Sequence, residues 1–299
     1  MKTKLALSLL VLAISASTKA AAERPMRILL VNDDGCEAYG IVALGEKLTK
    51  KGFDVWISAP ANNQSGIGSA ITMQKKPFEY RQRGEKSYCF PGTPADALDF
   101  GLLGVMKETP PDLVISGINN GPNTGVAQVN SGTVGAAVRA IRYGYPAIAA
   151  SIGWNTDELA KFSGSPSTEK YWPDSVDYVV NMVTVLAKNW HPRQELLPKG
   201  TGLIINYPAY PKSEIKGVKY IENEVFPYPQ HFYELLPGNK AVQVVNPDVS
   251  KPDTRDTDTG WLHKHYITYT IIDGDWNAHQ FESEYKKRLN DPVLLPTAK

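Results

Sequence analysis

The sequence predicts an α/β protein built on a doubly wound, Rossmann-like and largely parallel sheet, with an antiparallel hairpin arm toward its C-terminus. Three observations carry this. Unbroken aliphatic runs such as Ile28-Leu29-Leu30-Val31 and Leu113-Val114-Ile115 mark strands buried on both faces, as in parallel sheets. These runs alternate with segments whose apolar residues recur at helical spacing. Several of the runs end abruptly in polar residues and glycine, where ligands gather in open α/β sheets.

In chain order, the first strand ends in Asn32-Asp33-Asp34-Gly35. Residues 39–48 place Ile41, Leu44 and Leu48 on one helical face, and Lys50-Lys51-Gly52 supplies a basic end and a glycine stop. Residues 54–60 form a second strand, and 62–69 a polar loop. Pro94 suits the first turn of a helix over 94–103. Residues 112–119 are a buried strand with a polar end, Ser131 opens a helix of small residues that can pack closely on a sheet, and 146–151 is a further strand. Asp174 or Ser175 caps a helix running to Asn189, with Val176, Val179, Val180, Val183 and Leu186 on its apolar face. Residues 202–208 are another core strand. Residues 218–270 alternate apolar and polar around Pro227, Pro229 and Pro237, which predicts antiparallel hairpins forming an arm for oligomer contacts. In 275–299, the charged stretch 282–288 predicts a surface helix. With no internal repeat, low-complexity tract or separating linker, residues 23–299 read as one domain.

The chain has 299 residues, 42% hydrophobic and 21% charged, enough for a sizeable core. A net charge of +1 gives no basic surface for a nucleic-acid polymer. Residues 1–22 read as a signal peptide: Met1-Lys2-Thr3-Lys4 is basic, 5–16 is apolar, and Ala20-Ala21-Ala22 is a cleavage site. The apolar stretch is shorter than the ~20 residues of a membrane span, so no membrane association is expected. Removing 1–22 takes away three lysines and turns the net charge from +1 to −2. The expectation is an exported protein, periplasmic where the cell has an outer membrane and secreted otherwise. Cys36 and Cys89 either form one disulfide or remain two buried thiols, and two such distant cysteines make no zinc site.

Three loops meet at the carboxyl edge of the predicted sheet: Asp33 and Asp34, then 62–69, then Asn119-Asn120-Gly121-Pro122-Asn123-Thr124-Gly125. Two adjacent carboxylates need a cation. Carboxylate, hydroxyl and amide oxygens favour magnesium, manganese or calcium over zinc. All five histidines lie in the second half, and His231, a distant candidate for a general acid, reads as a surface residue. The glycine-rich loop and the Ser131-Gly132-Thr133 helix start suit a phosphate, since exposed N–H groups at a helix N-terminus bind anions. Metal beside phosphate is the arrangement of a phosphoester hydrolase. A receptor that binds nucleotides or polyphosphate without turnover would use the same oxygens. A covalent aspartyl phosphatase is disfavoured by Asp-Asp-Gly in place of Asp-x-Asp.

The order of these motifs resembles the SurE family, the stationary-phase survival proteins that act as metal-dependent 5′-nucleotidases. The resemblance rests on 28–35 (ILLVNDDG), 59–72 (APANNQSGIGSAIT), 92–96 (GTPAD), 110–125 (PPDLVISGINNGPNTG) and 131–137 (SGTVGAA), with weaker matches at Ile215-Lys216-Gly217 and Asp256-Thr257-Asp258. It implies a divalent cation, magnesium or manganese, held by Asp33, Asp34, Ser65 and Asn119, with Asp33, Asp34 and Asn119 catalytic. It further implies phosphate contacts from Asn123, Ser131, Gly132 and Thr133, and hydrolysis of nucleoside monophosphates, with 3′-nucleotides or short polyphosphate as further substrates. Dimers or tetramers through exchanged C-terminal segments are expected. The chain departs from the family pattern at Cys36, Asn130 and Arg139-Ala140, and in its export signal.

Overall fold

In a computed structural model, strand β1 (Arg27–Val31) lies inside a sheet that has nine strands among the described residues. The structure describes residues 24–159, 161, 165–188, 190–192, 194–224, 231–246, 253–275, 277 and 279–289; the expected signal segment lies outside them. On one side of β1 stand β2 (Asp54–Pro60), then β4 (Ser87–Phe90) and, at the edge, β3 (Arg81–Gly84). On the other side stand β5 (Leu113–Asn120), β6 (Ala147–Ile152), β7 (Thr201–Tyr207), β11 (Ile267–Asp273) and β8 (Val218–Tyr220). The strands from β4 through β7 are mutually parallel. Strand β3 runs antiparallel to β4, and β11 antiparallel to β7.

Parallel strands buried on both faces must be covered twice, and the side chains of β1 divide accordingly. Ile28 and Leu30 pack with Ile41, Leu44 and Leu48 of α1 (Tyr39–Lys50) and with Val176, Val179, Val180 and Val183 of α6 (Pro166–Ala187). Leu29 and Val31 face the opposite layer. There they meet Leu98 of α2 (Pro94–Asp99), Leu102 and Met106 beyond it, and Val134, Ala137 and Ala140 of α4 (Gly132–Arg142). The short α3 (Ala127–Asn130) and α5 (Thr156–Leu159) precede α4 and α6. Thus helices cover both faces, and the predicted Rossmann-like fold is observed.

Several elements differ from the sequence reading. The helix expected over 94–103 changes to a π-helical stretch at Phe100–Val105, closed by Met106 N–H to Gly101 O at 3.0 Å. Helix α6 begins at Pro166 rather than at Asp174. Its first turn is held by Glu158, whose carboxylate accepts from the N–H and hydroxyl of Ser167 and the hydroxyl of Ser165. That cap comes from another element and leaves no local sequence signal. Strands β3 and β4 were not expected. Arg81-Gln82-Arg83-Gly84 is wholly exposed, and the edge is held by aromatics instead, with Tyr80 and Phe90 centred 4.7 and 4.9 Å from Phe100.

Among the described residues of 218–270, only β9 (His231–Leu236) and β10 (Lys240–Val245) form the separate antiparallel hairpin, exposing Phe232, Tyr233 and Leu235. β8 and β11 join the main sheet, because Thr268 and Thr270 of β11 lie buried in register with Asn206 and Ile204. Between them α7 (Asp258–His263) packs on β11, and α8 (Glu282–Arg288) is an exposed helix in the tail. Among the described residues, no helix is long and apolar enough to cross a membrane.

Candidate metal and phosphate site

The chain leaves β1 toward β2 on one side and later returns to place β5 on the other, so the sheet order reverses between β1 and β5. At such a switch point the loops diverge and leave a crevice at the carboxyl ends of the strands. Asp33 and Asp34 follow β1, and Asn119 and Asn120 end β5.

The turn after β1 is set locally. Asn32, fully buried, donates from Nδ2 to Gly35 O at 2.8 Å and accepts from the Gly35 N–H at 3.3 Å. Asp33 is buried, and its Oδ1 accepts from the Thr133 hydroxyl. The start of α4 can come this close only because residue 132 is glycine: a Cβ there would stand 2.8 Å from Asp33 Cβ and 2.7 Å from Pro94 Cγ. Asp34 Oδ2 accepts from the Asn120 N–H at 3.1 Å. Asn119 donates from Nδ2 to Gly121 O at 2.8 Å, which leaves its amide oxygen as the atom available to a cation. Ser65 is exposed on a loop docked across the first aspartate, through Gln64 N–H to Asp33 O at 2.7 Å.

Burial pushes the Asp33 carboxyl up, partly offset by the Thr133 hydroxyl and by backbone N–H groups including those of Gly132 and Thr133. Burial first, and then the Asp33 charge, push Asp34 up to about 6. Among the described residues, no lysine, arginine or histidine offsets either shift. Two adjacent carboxylates, Asp33 buried and Asp34 half-buried, without a cationic partner among the described residues fit a divalent cation, whose charge replaces the missing side chain. Among the described residues no three His, Cys, Asp or Glu side chains gather at one point, so further donors would be neutral oxygens such as those of Ser65 and Asn119.

The predicted phosphate residues divide by position. Ser131 caps α4, its Oγ accepting from Val134 N–H at 3.0 Å. Gly132 and Thr133 lie against Asp33. Asn123 sits one loop away: its N–H donates to Asn206 Oδ1 at 2.7 Å and its Nδ2 to Ser151 Oγ at 2.8 Å. Its amide N–H is thus engaged at the ends of β6 and β7. Asp258 completes the loop's support. This fully buried carboxylate accepts from Gly125 N–H at 2.8 Å and Gln128 Nε2 at 3.2 Å. Sequence reasoning gave Ser151, Asn206 and Asp258 no role. Its available signal was polar residues at strand ends and in Asp256-Thr257-Asp258.

Cys36, two residues past Asp34, is bonded to Cys89 of β4 with a Cα separation of 5.4 Å, so the disulfide alternative is the one realised. The bridge and the Cys36 N–H to Pro60 O bond of 2.8 Å anchor the far side of the aspartate turn.

The family model of survival protein SurE matches residues 28–226. The chain belongs to the SurE family. It is 32% identical over 263 residues to the 5′-nucleotidase SurE of Roseobacter denitrificans, covering 85% of this chain and 96% of that one. To the 5′-nucleotidase SurE of Carboxydothermus hydrogenoformans it is 33% identical over 268 residues, covering 87% and 95%. The crystal structure of the SurE protein from Aquifex aeolicus superimposes with a TM-score of 0.72 at 29% identity, covering 89% of this chain and all of that one. The SurE fold therefore extends past the matched residues into the C-terminal strands.

Proposed function

We propose that this protein is a divalent-metal-dependent phosphomonoesterase that hydrolyses nucleoside monophosphates, a 5′-nucleotidase of the SurE type. The observation that carries this is the pair Asp33 and Asp34: one buried and one half-buried, adjacent, and among the described residues without a cationic partner, beside the N-terminus of α4. Asp33, Asp34, Ser65 and Asn119 would hold magnesium or manganese. A cation there neutralises phosphate charge and makes a bound water a better nucleophile at neutral pH. Thr133 and Gly132 fix the Asp33 carboxylate. The Ser131 hydroxyl oxygen already accepts a bond, so its hydrogen is left to donate to a phosphoryl oxygen. The positive end of α4 favours charge developing on that oxygen. Gly125 and Asn123, pinned by Asp258 and Asn206, keep the neighbouring loop in shape without mobile side chains.

A panel of nucleoside 5′- and 3′-monophosphates and short polyphosphate, tested with manganese, magnesium or chelator, should show metal-dependent phosphate release from the 5′-monophosphates. Saturable nucleotide binding with no release would make the protein a receptor instead. Full activity in Asp33→Asn or Asn119→Ala would remove those residues from the site.

The protein is further proposed to be exported by residues 1–22 and to work in the periplasm, or outside a cell with a single membrane. A disulfide beside the site agrees with an oxidising compartment. Cell fractionation tests this. The exposed aromatic and aliphatic side chains of the β9–β10 hairpin support its assignment as a homodimer or homotetramer contact, and light scattering of a hairpin-deleted variant would show a smaller assembly.

A further inference from the structure

Trp154 lies two residues past the end of β6, at the same carboxyl edge as Asp34 and Asn119. Its indole rests on Gly121: Nε1, Cε2 and Cζ2 are 3.0–3.1 Å from where a Gly121 Cβ would stand. Gly121 has φ +117°, a conformation left to glycine, so the floor beneath the ring is bare backbone. That floor adjoins the metal site directly. The Gly121 carbonyl accepts from Asn119 Nδ2, and the preceding N–H, of Asn120, donates to Asp34.

Trp154 is 36% exposed as a residue, and among the described residues no aromatic side chain stacks on it. Its backbone, by contrast, is fixed. Gly153 donates to Tyr207 O at 2.7 Å and accepts from the Thr168 hydroxyl at 2.9 Å, while Asn155 N–H reaches Ser165 Oγ at 2.9 Å. An exposed indole on a rigid base, one residue from groups that hold the metal shell, is a pre-organised π-surface beside a polar site.

We propose that Trp154 is the stacking platform for the substrate's nucleobase and so determines the selection of nucleoside monophosphates over phosphate esters that carry no base. With the phosphate at the aspartates, the ribose spans the Asn120–Gly121 backbone and the base reaches the indole. Stacking tolerates every base, because each has a π-face, and favours the larger purines. The proposal rests on the nucleotidase reading above.

The test compares wild type, Trp154→Ala and Trp154→Phe as full chains, with manganese, on AMP, CMP and ribose 5-phosphate. In Trp154→Ala the KM for AMP should rise about 10- to 100-fold relative to that for ribose 5-phosphate, with kcat little changed and the AMP-over-CMP preference reduced. Trp154→Phe should restore most of the difference. Equal rises for AMP and ribose 5-phosphate, or no rise for AMP, would overturn the platform. Should the alanine variant fail to fold, quenching of tryptophan emission by AMP in wild type but not in Trp154→Phe supports the proposal, and equal quenching overturns it. Absence of phosphate release from any nucleotide in wild type would sink the nucleotidase reading alone. Adenosine quenching then decides the platform separately, by its presence in wild type and loss in Trp154→Phe.

Discussion

Thr133 donates its hydroxyl hydrogen to Asp33 across 100 residues of sequence, so the first turn of α4 sets the position of the first carboxylate. A helix start and a strand end are thereby joined at the point where a cation would bind. Replacing Thr133 with valine keeps the shape and deletes the donor. Manganese affinity, measured by calorimetry, should fall about 10- to 100-fold, as when outer-shell partners of metal ligands are removed. Without metal the protein should lose about 1–3 kcal/mol in urea unfolding, since a buried acceptor loses its partner. Unchanged metal affinity would show that Asp33 is held by the backbone alone.

Asp34→Asn should separate activity from stability. It removes the half-buried member of two adjacent like charges that, among the described residues, no cationic side chain compensates in the metal-free protein. The metal-free variant should therefore melt at a higher temperature than wild type at pH 7.5, while nucleotide hydrolysis falls by more than about 100-fold because a metal ligand is gone. Manganese should raise the melting temperature of wild type and barely move that of the variant.

The direction of the pH effect follows from the same group. The Asp34 carboxyl stands at about 6 in the folded protein against an ordinary 3.8, and Asp33 shifts the same way. A raised folded value means that this contribution to stability is complete below the unfolded value and is lost as pH rises through about 6. Metal-free protein should accordingly lose stability between about pH 4 and 7 from these groups, and metal should restore it. The manganese-induced rise in melting temperature should be small near pH 5 and grow toward pH 7.5, because metal and proton compete for the carboxylate.

Reducing the Cys36–Cys89 bridge releases a chain segment closed over a sequence separation of 53 residues. Chain-entropy arguments put the loss at about 4 kcal/mol, read as a lower urea midpoint in the Cys36→Ser, Cys89→Ser double variant. Cys36 lies two residues from Asp34, so the variant should also bind manganese more weakly. Loss of stability with metal affinity intact would confine the bridge to a structural role.

The sheet core was legible because a strand buried on both faces needs aliphatic side chains at every position, and 28–31, 113–115 and 147–150 display that directly. The aspartate pair and Asn119 were legible because such runs end on them. Strand β3 was not, since its four residues are exposed and its edge is fixed by Tyr80 and Phe100 from elsewhere. Strand β11 alternates apolar residues with Thr268 and Thr270 like a hairpin arm, yet Ile267 to Thr270 are buried on both faces and the strand pairs with β7 in the main sheet. Within the site, the bonds that hold Asn123, to Asn206 and Ser151, were not legible, because they are contacts 83 and 28 residues distant. Trp154 carried no pattern at all; its meaning depends on Gly121 lying beneath it.

The buried contact of Asp258 with the Gly125 N–H spans 133 residues. A ribosome emits the chain from the N-terminus, so a nascent polypeptide extending through β7 already contains both aspartates, Asn119 and all six parallel strands, but not the carboxylate that clamps their neighbouring loop. Support of that loop is thereby deferred to the closing stage of synthesis. Contacts this distant also slow folding. The loop beside the site would then be clamped last, after the parallel strands have been made.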